Sequence, residues 1–232
     1  MIKGEASLWS RLALQIDLPT RIETLNSVHV DLGAGRKPRN PFRASQIIAT
    51  DFSSLASRVV DGVHFVGCDL TKSLPFEDNS IDSISAFDLL EHIPRWERVN
   101  GQIEYPFINL MSEISRVLKK RGVFLAVTPA FPFQAAFQDP THINFISENT
   151  IDYFVGGNPH ASSIGYEFTG RFDLICQTWL RGAGPFVDFP LLENCTIRTK
   201  MGFLNYLRLG RRIAKLASTR KPTHLLWLLE KS

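Results

Sequence analysis

The sequence predicts an α/β fold in which a mostly parallel sheet is packed between helical layers. Two observations predict it. Short apolar, β-branched runs alternate with helical patterns along most of the 232 residues, as parallel strands joined by helical crossovers require. The strongest helical pattern falls between the fourth and fifth of those runs, where a crossover belongs.

In chain order, VHVDLG (28–33), QIIATD (46–51), VHFVGCD (63–69), IDSISAFD (81–88) and GVFLAVTPA (122–130) read as buried strands. Phe107, Leu110, Met111, Ile114, Val117 and Leu118 share one face of a helix over 107–118. Lys119, Lys120 and Arg121 complement the dipole at its end, and Gly122 suits a left-handed C-terminal position. The stretch 131–154 is too aromatic for a linker, and residues 131–160 are expected to form a lid or wall over the sheet's carboxyl edge. FDLICQTWL (172–180) and THLLWLLEK (223–231) read as two further strands. Between them, 183–221 is a polar and basic insertion with a helical pattern over 202–218. No repeat or second domain boundary is evident, so residues 1–232 are expected to form one domain.

Composition sets bounds. Hydrophobic residues make up 44% and charged residues 21%, which describes a globular chain and excludes a disordered or fibrous one. The net charge of +3 is too small to predict nucleic-acid binding. Cys68, Cys176 and Cys195 are an odd set without metal-ligand spacing. They predict no disulfide framework and fit a reducing, cytoplasmic setting. The first residues, MIKGEASLWSRLALQ, lack the apolar core of a signal peptide, and no run has the length of a membrane span.

The chemistry begins at HVDLGAGRKP (29–38). Gly33-x-Gly35 after an apolar strand allows a tight turn and close approach of a ligand. Asp51 ends the second strand, twenty residues beyond Asp31, where a carboxylate can accept hydrogen bonds from ribose hydroxyls. A dinucleotide site would add a helix N-terminus for pyrophosphate. Here Pro38 and Pro41 restrict the segment before Ile47 to about one helical turn. The turn therefore suits a nucleoside without phosphate better than NAD.

Four ordered blocks carry a family resemblance. They are VDLGAG, ATD at the second strand, GCDL followed by LPFEDNSIDSISAFDLLEHI, and EISRVLKKRG before the fifth strand. Together they resemble the class I S-adenosylmethionine-dependent methyltransferases of the small-molecule, type 11 branch. The resemblance implies a Rossmann-like fold: a seven-stranded, mostly parallel sheet with an antiparallel last strand and helices on both faces. It also implies S-adenosylmethionine as cofactor. By the same resemblance, Asp31, Gly33 and Gly35 hold the methionine part, Asp51 the ribose, and Asp69 with Leu70 the adenine. Phe87 and Asp88 lie beside the reactive end. The sequence departs from the family at Arg36, Lys37 and Pro38, where a further glycine and a longer helix are usual. Arg36 or Lys37 either binds the amino-acid carboxylate or faces solvent. A structural alternative stays open for the acids: Asp31 capping the turn, Asp51 and Asp69 capping short helices over SSLASRVV and TKS.

Methyl transfer from a sulfonium is an in-line displacement in which orientation supplies much of the acceleration. Aromatic faces such as Phe87, Phe131 or Phe133 suit a cationic donor. A hydroxyl acceptor also needs a base. His142 in QDPTHINF is the candidate, with Asp139 three residues earlier to orient it; the alternative is that His142 only pins the Asp139-Pro140 turn. His92 reads as structural. The DPTH-x-N-F block, SENTIDYF and the closing KPTHLLWLLEK resemble a bacterial subgroup of surface-polysaccharide pathways, which implies a sugar hydroxyl as acceptor. A quinone, lipid or natural-product phenol is the alternative, followed by RNA and then by a non-catalytic cofactor-binding module. The basic residues Arg208, Arg211, Arg212, Lys215, Arg220 and Lys221 suit a solvated helix face, and 202–221 has a second reading as a peripheral membrane contact. No nucleic-acid partner is expected.

Overall fold

A computed structural model of the chain describes residues 26–35, 37–52, 58–183, 186–191 and 223–232. Its strands are β1 (Val28–Leu32), β2 (Gln46–Asp51), β3 (Arg58–Val60), β4 (Val63–Gly67), β5 (Ile81–Phe87), β6 (Glu97–Val99), β7 (Gln102–Glu104), β8 (Leu118–Pro129), β9 (Phe172–Ala183), β10 (Phe186–Leu191) and β11 (His224–Lys231). Nine of them form one sheet in the order β10-β9-β11-β8-β5-β1-β2-β4-β3, and β6 and β7 form a separate hairpin. The centre is parallel, through β8·β5, β5·β1, β1·β2 and β2·β4. β11 runs antiparallel to both β8 and β9.

The seven expected strands are β1, β2, β4, β5, β8, β9 and β11, with the last antiparallel as expected. Two edge strands add to them. β10 extends β9, and β3 pairs antiparallel with β4. The second corrects the reading of SSLASRVV as a short helix: Arg58–Val60 is a strand. The reason lies in the next two residues. Asp61 and Gly62 both have positive φ, 50° and 79°. An Asp-Gly pair in that conformation closes a two-residue hairpin whose twist matches its strands, and Val59-Val60 supplies the β-branched run.

Side-chain alternation divides the two faces of the sheet. On β8, Phe124 and Ala126 join the cluster under the helix α1 (Pro106–Val117), while Val123, Leu125 and Val127 join the opposite cluster. β11 splits the same way, with Leu225, Trp227 and Leu229 on one side and Leu226 and Leu228 on the other. Alternation sorts residues to opposite faces only in an extended chain, so both runs can fold as strands buried on each side. α1 covers its face through Phe107, Leu110, Met111, Ile114 and Val117. Met111 and Ile114 have no exposed surface, and burying each contributes about 1.5–3 kcal/mol. Opposite, the described cover includes Phe42 and Ala44 from the loop after β1.

α1 ends one residue before the expected limit, with Leu118 already extended at ψ 139°. The left-handed position falls to Arg121, φ 65°, and not to Gly122. Gly122 is needed for proximity: a Cβ there would lie 2.8 Å from the Lys119 carbonyl oxygen and 3.1 Å from that of Asp82.

Arg116 fastens the loop before β5 to this helix. Its guanidinium donates to Glu113, to Asp78 and to the carbonyls of Leu74 and Phe76. Glu113 in turn accepts the Leu74 N–H at 2.8 Å. The segment 202–218, expected as a basic helix, lies outside the described residues, as does Arg36.

Candidate functional site

The carboxyl ends of β1, β2, β4 and β5 meet on one edge of the sheet, where ligands of open α/β sheets bind. β1 leads into Gly33 and Gly35, both left-handed, with φ 62° and 57°. Their needs differ. A Cβ on Gly33 would stand 2.7 Å from Leu89 Cδ1, whereas a Cβ on Gly35 would meet nothing within 4 Å. The first glycine is demanded by packing. The second faces open space at the strand tip.

β2 pins this turn. Ala34 donates its N–H to the Thr50 carbonyl at 2.9 Å, and the Gly35 N–H donates to Asp51 Oδ2 at 2.9 Å. No helix follows. Residues 37–45 form turns, with the Asn40 side chain bridging both backbone groups of Ala44. At the tip beyond β4, Asp69 Oδ1 accepts the N–H and the hydroxyl of Thr71 at 2.9 and 2.7 Å. These bonds hold its carboxyl below the usual range. Leu70 turns inward, 7% exposed.

Asp31 is buried. Its Oδ2 accepts the Arg39 N–H at 2.7 Å and its Oδ1 the Ser85 hydroxyl at 2.6 Å. Burial pushes its carboxyl up to about 6 against those two bonds. Behind it, His29 Nε2 lies 2.9 Å from Ser85 Oγ and His29 Nδ1 lies 2.8 Å from Ser83 Oγ. With the Ser85 proton given to Asp31, Nε2–H is the donor to Ser85 and Nδ1 accepts from Ser83. Burial brings this imidazole down to about 3, so it is neutral at ordinary pH.

The Arg39 guanidinium lies 4.3 Å over the Phe87 ring, a cation–π contact that places a charge between Asp31 and the tip of β5. Asp88 follows with φ 49°, its Oδ1 3.3 Å from His224 Nε2. Sequence reasoning looked to Arg36 or Lys37 for a cation at this turn and passed over Arg39. No local pattern marks it, because Phe87 meets it from another strand.

On the acceptor side, Leu90–His92 form a 3-10 turn and the segment after β8 folds back on it. The N–H groups of Ile143 and Asn144 both donate to the Glu91 carbonyl at 2.9 Å, and Asn144 Nδ2 donates to the Leu90 carbonyl. This clamp sets His142 Nε2 3.9 Å from Glu91 Oε1 and the His92 and His142 rings edge to face, 4.9 Å apart. Glu91 is 1% exposed; its Oε2 accepts the Thr128 hydroxyl at 2.8 Å, while Oε1 has no hydrogen-bond partner. Burial above all, with the charges of Asp88 and Asp139, pushes Glu91 up to about 8. Asp139 Oδ1 accepts the N–H and the hydroxyl of Thr141. The carboxyl group that pairs with His142 is therefore Glu91 and not Asp139, the residue expected to orient it.

Exposed aromatics rise beside this cluster. Phe137 meets Phe131 and Phe145 at 6.5 and 5.0 Å between centroids. A cleft of about 430 Å³ opens between α1 and residues 144–154, lined by Trp96, Tyr105, Tyr153, Tyr166, Arg95 and Asn149 among others.

The strand tips fit S-adenosylmethionine: Gly35 leaves open space at the turn, and Asp51 and Asp69 present carboxylates at successive strand ends. Residues 30–126 match the Methyltransf_11 family, described as a methyltransferase domain. A search of curated proteins gave no match. Among solved structures, the chain is similar to a SAM-dependent methyltransferase from Archaeoglobus fulgidus, with 15% identity, 98% of this chain and 95% of that chain covered, and a TM-score of 0.52. It is also similar to a chain of the Haloferax volcanii complex between the Trm112 methyltransferase activator and a methyltransferase, with 15% identity, 98% and 91% covered and a TM-score of 0.50. A third similar structure is the [4+2]-cyclase SpnF, with 15% identity, 97% and 80% covered and a TM-score of 0.51. These likenesses establish the fold, which by itself does not select a reaction; the family match over the strand tips and turn described above does. Residues 30–126 thus carry a methyltransferase domain, and the protein is an S-adenosylmethionine-dependent methyltransferase.

Proposed function

We propose that the enzyme methylates a hydroxyl of a sugar or similar small hydroxylated acceptor, in a surface-glycan or related biosynthetic pathway. Bound S-adenosylmethionine supplies an activated methyl group on a sulfonium, so the chain's task is to bind, orient, exclude water and remove the acceptor's proton. Gly33 and Gly35 shape the turn for the methionine part, with Asp31 fixing its backbone through Arg39. Asp51 accepts the ribose hydroxyls, and Asp69 with Leu70 takes the adenine. Phe87 and Asp88 border the reactive end.

The observation that carries the reading is the Glu91–His142 pair. A hydroxyl needs a proton acceptor, and the His142 imidazole, held 3.9 Å from the buried Glu91 carboxyl group, provides one on the acceptor side. The cleft supports a sugar, because Trp96 and three tyrosines offer ring faces while Arg95 and Asn149 offer polar contacts. A quinone, lipid or phenol is the second reading, favoured by the exposed Phe131, Phe137 and Phe145. Incubation with methyl-labelled S-adenosylmethionine and sugar nucleotides, glycans and lipid extracts separates the two by the labelled product. In the same assay His142→Ala is expected to lower turnover and leave cofactor affinity intact; turnover at the original rate would remove His142 from the reaction.

A further inference from the structure

Glu91, His92 and His142 together form a set that a lone base does not require. Each offers one ligand atom, and these atoms all lie within 4.8 Å of one another. Two further observations point to a missing cation. Glu91 is 1% exposed, yet its Oε1 has no hydrogen-bond partner, and His142 Nδ1 is likewise buried and unpartnered. An orphaned buried carboxylate oxygen carries a large desolvation cost that a cation removes. Asp88 and Asp139 add negative charge around it.

Resting on the methyl-transfer reading above, we propose that Glu91, His92 and His142 bind one divalent first-row transition-metal ion, whose open positions take oxygen atoms of the acceptor. Two imidazoles and one carboxylate suit Mn²⁺, Fe²⁺, Co²⁺ or Zn²⁺ and not the all-oxygen preference of Ca²⁺ or Mg²⁺. Bonds of about 2.1 Å draw the three donors closer than they stand now. The side chain best able to move is His92, which is only partly buried and is held through Nδ1 by Thr141 at 3.1 Å. Three protein ligands leave at least one position open, which defines a catalytic and not a structural site. Two neighbouring hydroxyls of a sugar can fill adjacent positions. The ion lowers the pKa of the hydroxyl it holds, so the proton passes to solvent. The alkoxide oxygen then forms the bond to the methyl carbon as the carbon–sulfur bond breaks and its electron pair stays on sulfur. In the loaded enzyme His142 is a ligand and no longer the proton acceptor.

The test uses the full chain stripped with a chelator and titrated with Co²⁺ alone, read by its visible d–d absorption, with S-adenosylmethionine affinity measured in parallel. One Co²⁺ per chain is expected. Glu91→Gln and His142→Ala should each weaken it at least about 10-fold, since outer-shell partners alone are worth that much. His64→Ala, an exposed histidine on β4, should leave it unchanged. Should Glu91→Gln fail to fold, as judged by lost cofactor binding, His142→Ala in the loop decides. No saturable Co²⁺ binding, or equal binding in wild type and His142→Ala, overturns the proposal, as does equal affinity for Mg²⁺. Cofactor affinity separates the two readings: intact S-adenosylmethionine binding without Co²⁺ binding ends the metal site and leaves methyl transfer standing.

Discussion

Replacing Asp31 by Asn should give the enzyme's stability a pH dependence that the wild type hides. His29 is brought down from 6.5 to about 3 and Asp31 raised from 3.8 to about 6. Between about pH 4 and 6 an unfolded chain carries a proton on His29 that the folded chain lacks, so this group makes stability rise with pH. Over the same range the folded chain carries a proton on Asp31 that the unfolded chain lacks, so this group makes stability fall with pH. Each slope is about 1.4 kcal/mol per pH unit, and they cancel. The Asp31→Asn substitution removes the second slope and can keep the hydrogen bonds. The new amide's Oδ1 accepts the Arg39 N–H, its Nδ2 donates to Ser85, Ser85 donates to His29 Nε2, and Nδ1–H donates to Ser83. Urea unfolding of the ligand-free protein at pH 4, 5 and 6 measures the outcome. The variant's stability relative to wild type should be roughly 2 kcal/mol higher at pH 6 than at pH 4, since Asp31 is already partly titrated in one state or the other at each end of that range. Parallel curves for the two proteins would refute the reasoning, because the buried pair would then not hold the proton states assigned to it.

The two glycines of the turn should separate in denaturant melts and binding assays. Gly33→Ala meets Leu89 at 2.7 Å and should cost about 2 kcal/mol or more, partly restored by adding Leu89→Ala. Gly35→Ala should cost only about 1 kcal/mol for its left-handed backbone, while calorimetry shows weakened S-adenosylmethionine binding. Asp51→Ala should weaken the cofactor strongly; an unchanged dissociation constant would remove the ribose assignment. Arg116→Met, which frees Glu113, Asp78 and two carbonyls, should lower stability by about 2 kcal/mol, and hydrogen exchange should rise over residues 74–80.

The sheet was legible because its evidence is local. Val123 to Val127 and Leu225 to Leu229 are apolar throughout, and strands buried on both faces require that. The Asp61-Gly62 hairpin was equally local but sat behind a stretch, SSLAS, with helical spacing. Gly122 was recognised as necessary for the wrong reason, since the nearby Lys119 and Asp82 carbonyls belong to the folded chain and not to the sequence. The cofactor edge was legible as acids at successive strand ends. The acceptor side was not. Glu91 and His142 stand 51 positions apart and meet only because the Ile143 and Asn144 amides close on the Glu91 carbonyl. Such a clamp has no periodicity to read, and Arg39 over Phe87 has none either.

The place of β11 between β8 and β9 has a consequence for how the protein is made. The strand that joins the two parts of the sheet leaves the ribosome after every strand it touches. Until residues 224–231 emerge, β8 exposes a long apolar edge with unpaired backbone groups, the kind of surface that recruits neighbouring nascent chains. Yield in the cell should therefore depend on chaperone supply until β11 has emerged. A chain cut short after residue 223 would have its cofactor turn complete and its sheet still open.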